Sequence, residues 1–341
     1  MAHGPAECRK LTRPRCPAKR LSLGAIVEES VSVIAHCDWS IRANKRWMAV
    51  AVREGRQWKL GAPELVGDCN TLLARLNSRA REDGALVVGF DFPIGLPASY
   101  GRLTGFRSFR EAISTFGHDG WEDWYRVASH AEEISLRRPF YPMRPGGTFR
   151  SHLLDGLGIG NPLDLMRLCE RPADGGHAAC MLFWTLGGNQ VGKAAISGWQ
   201  EIIVPNISDV GLWPFDGTLP ELVTDCPVVI VETYPGDVYG QLGIPRHPVW
   251  SKQKQDGRRF AGETLLACMT DPGLSPESDL VELVRTGFSS RKSGEDPFDA
   301  TVGLMGMLAV VRGHRSEGVP SLPGVETWEG WILGKKAGPW A

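Results

Sequence analysis

Three runs set the terms on which this chain can fold: VSVIAHCD (Val31–Asp38), ALVVGFD (Ala85–Asp91) and PVVIVET (Pro227–Thr233). Each is apolar almost throughout, which predicts strands buried on both faces, in a sheet with helices on either side. Each also runs into a carboxylate, namely Asp38, Asp91 and Glu232. Between the first two runs lie RWMAVAVR (Arg46–Arg53) and RQWKLG (Arg56–Gly61), strand-like and joined by a tight EGR turn. DCNTLLARLNSRARED follows and reads as a helix, with Asp68 as N-cap and Leu72, Leu73 and Leu76 on one face. The order strand, strand, strand, helix, strand predicts two hairpin connections and then a helical crossover. A crossover sets the fourth strand parallel to the first and beside it, so Asp38 and Asp91 share one end of the sheet.

The chain has 341 residues, 42% of them apolar and 23% charged. That is a globular composition with ample material for a core, and room for about two domains or one elaborated one. A formal net charge of −1 excludes a binder that is basic throughout, while leaving local basic patches possible. The eight cysteines form no C-x-x-C pair, which reads as reduced thiols in a cytoplasmic protein rather than a disulfide framework or zinc site. No apolar run approaches the ~18 residues of a membrane span, so no membrane association is expected. Residues 1–30 read as a basic arm without the apolar stretch of a secretory signal. From about 99 to 210, helical segments alternate with Pro, Gly and Arg-rich loops, which reads as an insertion. The expected organisation is therefore an arm at 1–30 and one α/β domain at 31–341, with a helical insertion at about 99–210.

The last long helical segment, GEDPFDATVGLMGMLAVV, opens with Asp296 and Asp299, spaced i, i+3 on one face. Ala300, Gly303, Gly306 and Ala309 follow at three-residue spacing, a small stripe that lets a helix lie close to a sheet. Four segments would thus bring acids to one sheet edge. Crowded carboxylates repel unless a hard divalent cation sits among them. A pair of Mg²⁺ or Mn²⁺ ions so held activates water for phosphodiester hydrolysis. Each acid also has an ordinary reading. Asp296 suits an N-cap, with Pro297 at N1 and Asp299 at N3. Asp38 suits the start of a turn, Asp91 a Pro-rich turn, and Glu232 an ion pair with an arginine of the insertion.

The segments DWSIRANKRWMAVAV, VVGFDFPIGLP, WTLGGNQVGKAAISGWQEIIVPNI, VVIVETYPGDVYGQLG, SKQKQDGRRFAGETLL, EDPFDATVGLMGMLAVV and EGWIL span about residues 31–333. In this order they resemble an uncharacterised family of predicted nucleases with an RNase H-like fold, distantly similar to RuvC-type resolvases. The resemblance implies a mixed sheet, three antiparallel strands followed by parallel ones, flanked by helices. It implies a metal-dependent nuclease acting on nucleic acid, DNA or RNA. Asp38, Asp91, Glu232 and Asp299 would be catalytic and metal-binding, and Asp296 a further metal ligand or a cap. Trp39 stands where that family usually has glycine, and the stretch near 106–150 is enlarged.

Two basic clusters are candidates for substrate binding. RRPFYPMRPGGTFRSH interleaves Arg137, Arg138, Arg144 and Arg150 with Phe140, Tyr141 and Phe149, a pattern suited to holding phosphates and stacking bases, or to an ordinary exposed loop. Lys252, Lys254, Arg258 and Arg259 suit a solvated helix face, the scissile strand, or neutralisation of the acids. GGNQVGKA matches G-x-x-x-x-G-K, but Ala194 replaces the Ser or Thr of a P-loop, so Gln190 is read instead at the rim of the site. Two rivals remain. An actin-like phosphotransferase shares such a core, though DWSIRANK lacks the expected glycines. A non-catalytic binding module would use the acids for caps and ion pairs.

Overall fold

The computed structural model describes residues 23–171, 180–186, 191–245, 249–290 and 292–338. The strands are β1 (Val31–Asp38), β2 (Trp47–Glu54), β3 (Gln57–Leu60), β4 (Glu64–Leu65), β5 (Ala85–Phe90), β6 (Gly211–Leu212), β7 (Val228–Glu232) and β8 (Leu274–Pro276). The helices are α1 (Leu23–Ser30), α2 (Cys69–Asn77), α3 (Ala98–Leu103), α4 (Phe109–Thr115), α5 (Ser151–Leu157), α6 (Val191–Gly198), α7 (Val204–Asn206), α8 (Leu219–Asp225), α9 (Pro235–Gln241), α10 (Gln255–Cys268), α11 (Ser278–Thr286) and α12 (Glu295–Val311). The described residues divide into two compact units, the first within 23–91, 208–213 and 218–317, the second within 92–207, 214–217 and 318–338. The sequence led us to expect one domain with an insertion ending near 210. Instead, residues 318–338 join the inserted segment in the second unit.

The first unit holds an eight-stranded mixed sheet in the order β6-β7-β5-β1-β2-β3-β8, with β4 paired to β2. β1, β2 and β3 are antiparallel neighbours, while β5 runs parallel to β1 and β7 parallel to β5. α2 is the crossover between β3 and β5, and its Asp68 cap accepts a hydrogen bond from Asn70 N at 3.0 Å. Leu72, Leu73 and Leu76 are its buried face. β5 and β7 are buried at every position, as continuous apolar strands covered on both faces must be. Residues 23–30, expected to belong to the arm, form α1 instead. Its Val27 is buried, and the helix packs on β1, α8 and α12. Residues 1–22 of that arm lie outside the described residues. Among the described residues no helix is long and apolar enough to cross a membrane. Cys37, Cys69, Cys169, Cys180, Cys226 and Cys268 are free thiols.

α12 is buried on nearly all sides, as a helix apolar around its whole circumference must be. It lies on the sheet face carrying His36 and Gly89, whereas α2 covers the opposite face of β1 and β5. The small-residue stripe divides its labour. A Cβ at Gly303 would overlap the His36 imidazole of β1, and one at Gly306 would lie 2.6 Å from Val238 Cγ2 of α9. From the sheet side, a Cβ at Gly89 would lie 2.6 Å from Met307 Sδ. Gly303→Ala is therefore expected to destabilise the first unit by about 1–3 kcal/mol, the usual cost of overpacking a filled core. Chemical denaturation measures this, and an unchanged midpoint would show that the helix can retreat from His36 at no cost.

The second unit is built on an aromatic core. Trp124 stacks on Phe116 at 3.8 Å between centroids and contacts Phe140 and Trp199. α6 continues through a wide π turn (Trp199–Ile203) into α7, where Pro205 removes a backbone donor. A buried ion pair, Arg167 Nε to Glu170 Oε1 at 2.8 Å, lies beside Glu329, whose carboxylate accepts from Ala98 N and Leu168 N. Trp328 and Trp331 are buried in this unit.

Candidate carboxylate site

The register of the parallel strands decides which acids meet. Cys37 of β1 lies beside Phe90 of β5, so the next residues along, Asp38 and Asp91, are neighbours at the carboxyl end of the sheet. Side chains alternate along a strand, so Asp38 shares a face with His36, and Asp91 with Gly89. That is the face α12 covers, and Asp299 projects from its first turns, one helical turn before Gly303. Asp91 and Asp299 both act electrostatically on Asp38, and Asp299 acts on Asp91 as well. Asp296 belongs to the same field. It is not the N-cap, which is Gly294. The helix begins earlier because a single turn at Lys292–Gly294 feeds into it, leaving Glu295 and Asp296 in its first turn.

Glu232 stands apart from the three aspartates. Its register partner is Phe90, not Asp91, and the next residue, Thr233, is the one lying beside Gly89 on the α12 face. Alternation therefore turns the buried Glu232 toward the opposite face, the side of Phe90 and Cys37. It lies at the same end of the sheet.

Asp91 and Asp299 are each held by specific donors. Asp91 Oδ1 accepts from the Trp39 backbone N–H at 2.6 Å. Trp39 itself is buried, with its ring 5.5 Å from that of Phe90 and beneath the Arg46 guanidinium at 4.1 Å. Arg46 in turn ties down the β1–β2 turn by donating to Ser40 O at 2.5 Å. Asp299 Oδ1 accepts from the Tyr239 hydroxyl, and its Oδ2 lies 2.5 Å from Lys252 Nζ, which also reaches Glu295 Oε1 at 3.1 Å. Burial, with repulsion from Asp91 and then Asp299, pushes the Asp38 carboxyl far above its usual range. Burial likewise pushes Asp91 up to about 7, although the Trp39 N–H works against it. Asp299 is raised by burial in spite of Lys252. Burial opposes the charge of Lys252, but Asp299 and Glu295 outweigh it and hold the ammonium protonated. Burial drives His36 down to about 3, so it is a neutral packing residue beneath the site.

The basic candidates separate by exposure. Arg258 is fully buried and donates to three carbonyls, Gly287 O at 3.0 Å, Lys252 O at 2.5 Å and Ser289 O at 2.6 Å. It fastens the segment bearing Lys252, a structural task in place of the substrate contact expected from sequence. Arg259 is exposed on α10 and lies 3.6 Å from Asp256. In the second unit, Tyr141 is 2% exposed, with its hydroxyl 3.0 Å from His152 Nδ1, so no ring face is open for base stacking. Arg138 is tied to Glu133 at 3.2 Å and to Val127 O at 3.1 Å. Arg137, Arg144, Phe149 and Arg150 are exposed in the same unit. Gln190 lies outside the described residues.

The donor set fits a hard divalent cation in its chemistry, being three crowded aspartates that offer oxygen alone. As the side chains stand, however, no three His, Cys, Asp or Glu among the described residues form a coordinating group. Lys252 supplies the positive charge instead. Tyr239 and Glu295 were not singled out from sequence. Tyr239 lies 60 residues from the Asp299 it binds, and neither residue lies in a local pattern that announces its role. No family model, curated protein or solved structure matches the chain.

Proposed function

We propose that the first unit is an RNase H-like nuclease domain that hydrolyses phosphodiester bonds of nucleic acid with a divalent metal, Mg²⁺ or Mn²⁺. The observation that carries this reading is the gathering of Asp38, Asp91 and Asp299, from two strand ends and one helix, on a single sheet face. These three would hold the metal, with Asp296 at its edge. Bound metal supplies an activated water and charge neutralisation at the leaving oxygen. The chain's part is placement. The Trp39 N–H orients the Asp91 carboxylate, Asp38 is set beside it by strand register, and Tyr239 fixes the rotamer of Asp299. The exposed Arg137, Arg144, Phe149 and Arg150 are the side chains suited to phosphates and bases.

The closed Lys252–Asp299–Tyr239 arrangement favours a second reading, a non-catalytic module on the same framework. One experiment separates them. Labelled single-stranded, duplex and branched DNA and RNA are incubated at fixed salt with Mn²⁺ and, separately, with EDTA. Cleavage that requires Mn²⁺ is expected for at least one substrate. Intact substrates throughout, together with a melting temperature indifferent to millimolar Mn²⁺, would leave the module.

A further inference from the structure

We propose that Lys252 is the resident counter-ion of the carboxylate site, and that a divalent cation enters by displacing its ammonium from Asp299. This inference rests on the metal-dependent reading above. The ammonium lies between Asp299 Oδ2, at 2.5 Å, and Glu295 Oε1, at 3.1 Å. Its charge therefore offsets the field of Asp38, Asp91 and Asp299 without any metal. A cation on Asp299 Oδ2 and the Lys252 ammonium would compete for one oxygen and repel each other, so they exclude one another.

The local construction suits an exchange. Asp299 is nearly buried, with 6% of its side chain exposed, whereas the Lys252 side chain is 41% exposed and has a path to solvent. Lys252 sits in a turn ahead of α10, outside any helix or strand. Its main chain is nevertheless pinned, because Arg258 Nη1 donates to its carbonyl at 2.5 Å. A flexible four-carbon stem on a fixed backbone lets the ammonium leave Asp299 while the loop stays in place. The site is then an ion exchanger, trading the single positive charge of lysine for the two of the metal.

The test is calorimetric titration of Mn²⁺ into wild type, Lys252→Met and Lys252→Arg, with the metal-free melting temperature of each. Lys252→Met is expected to melt lower than wild type without metal, since its acids lose their counter-charge. It is expected to bind Mn²⁺ about tenfold tighter or more, the scale of ordinary coupling between two ligands of one site. Lys252→Arg keeps the competing charge and should stay near wild-type affinity. If Lys252→Met does not fold without metal, Lys252→Gln takes its place in the titration. Equal Mn²⁺ affinity in wild type and the neutral variant would overturn the exchange while leaving the metal site intact. Absence of Mn²⁺ binding in every protein would overturn the metal-dependent reading and the exchange with it.

Discussion

Asp91→Asn is expected to melt higher than wild type in EDTA at neutral pH, and to lose Mn²⁺-dependent cleavage by about a thousandfold. Asparagine keeps an acceptor for the Trp39 N–H, so that hydrogen bond survives. What disappears is a charge that burial, and then Asp299, oppose. The loss in rate follows if Asp91 holds metal, because removing one ligand forfeits several kcal/mol of transition-state stabilisation, with about 1.4 kcal/mol for each factor of ten. The direction of the pH dependence is fixed by the same environment. Burial raises Asp91 to about 7 in the folded chain, well above the ordinary aspartate of the unfolded one. The folded state therefore holds the proton more tightly, and that contribution to stability is complete below ~4 and lost as pH rises through about 7. Metal-free wild type should lose several degrees of melting temperature between these limits, and the variant should lose less. A thermal scan across pH checks this. A variant that cleaves at the wild-type rate would remove Asp91 from the chemistry.

Arg258→Met is expected to cost the first unit about 3 kcal/mol or more. The methionine fills much of the arginine's volume, so the loss is in hydrogen bonding rather than packing. Three carbonyls, of Gly287, Lys252 and Ser289, lose their donor at once in a buried setting. Leaving one buried acceptor unpaired costs about 1–3 kcal/mol. The segment from 249 to 254 should loosen before the sheet does, and amide exchange would show protection falling first around Lys252. A denaturation midpoint equal to wild type would show that water takes over all three carbonyls.

Much of the sheet was legible because its signals are local. The runs read as strands at 31–38, 46–53, 56–61, 85–91 and 227–233 form β1, β2, β3, β5 and β7 with ends shifted by at most one residue. The Asp68 cap and the leucine face of α2 follow from helix periodicity in the same way. Strands of two or three residues, such as β4, β6 and β8, are too short to carry a period, and they exist because a neighbouring edge offers them hydrogen bonds. α1 reads as arm in isolation and becomes a helix through what it packs on.

At the site, Asp38, Asp91 and Asp299 could be named because each ends or begins an element. Glu232 does so as well, but whether an acid at a strand end faces one side of the sheet or the other depends on inter-strand register. A single sequence does not contain that register. The pairing of Lys252 with Asp299 bridges 47 residues and rests on how α10, α12 and the intervening turn pack. The burial of Tyr141 and Arg258 is likewise tertiary, since alternation of basic and aromatic residues looks the same on a surface loop and inside a folded one.

The alternation along β1 also limits how this chain can change over time. His36 fits beneath Gly303, Cys37 faces the side of α2, and Asp38 faces the acids. Losing or gaining one residue within the strand would hand the aspartate's place to a neighbour and bring a thiol or an indole where the carboxylate stood. Substitutions at these positions are graded in their effects, whereas a one-residue length change is all or nothing. The tolerated length variation should therefore collect in the β2–β3 turn at Gly55, where an added Cβ meets nothing within 4 Å and the hairpin can grow without disturbing the phase of β1.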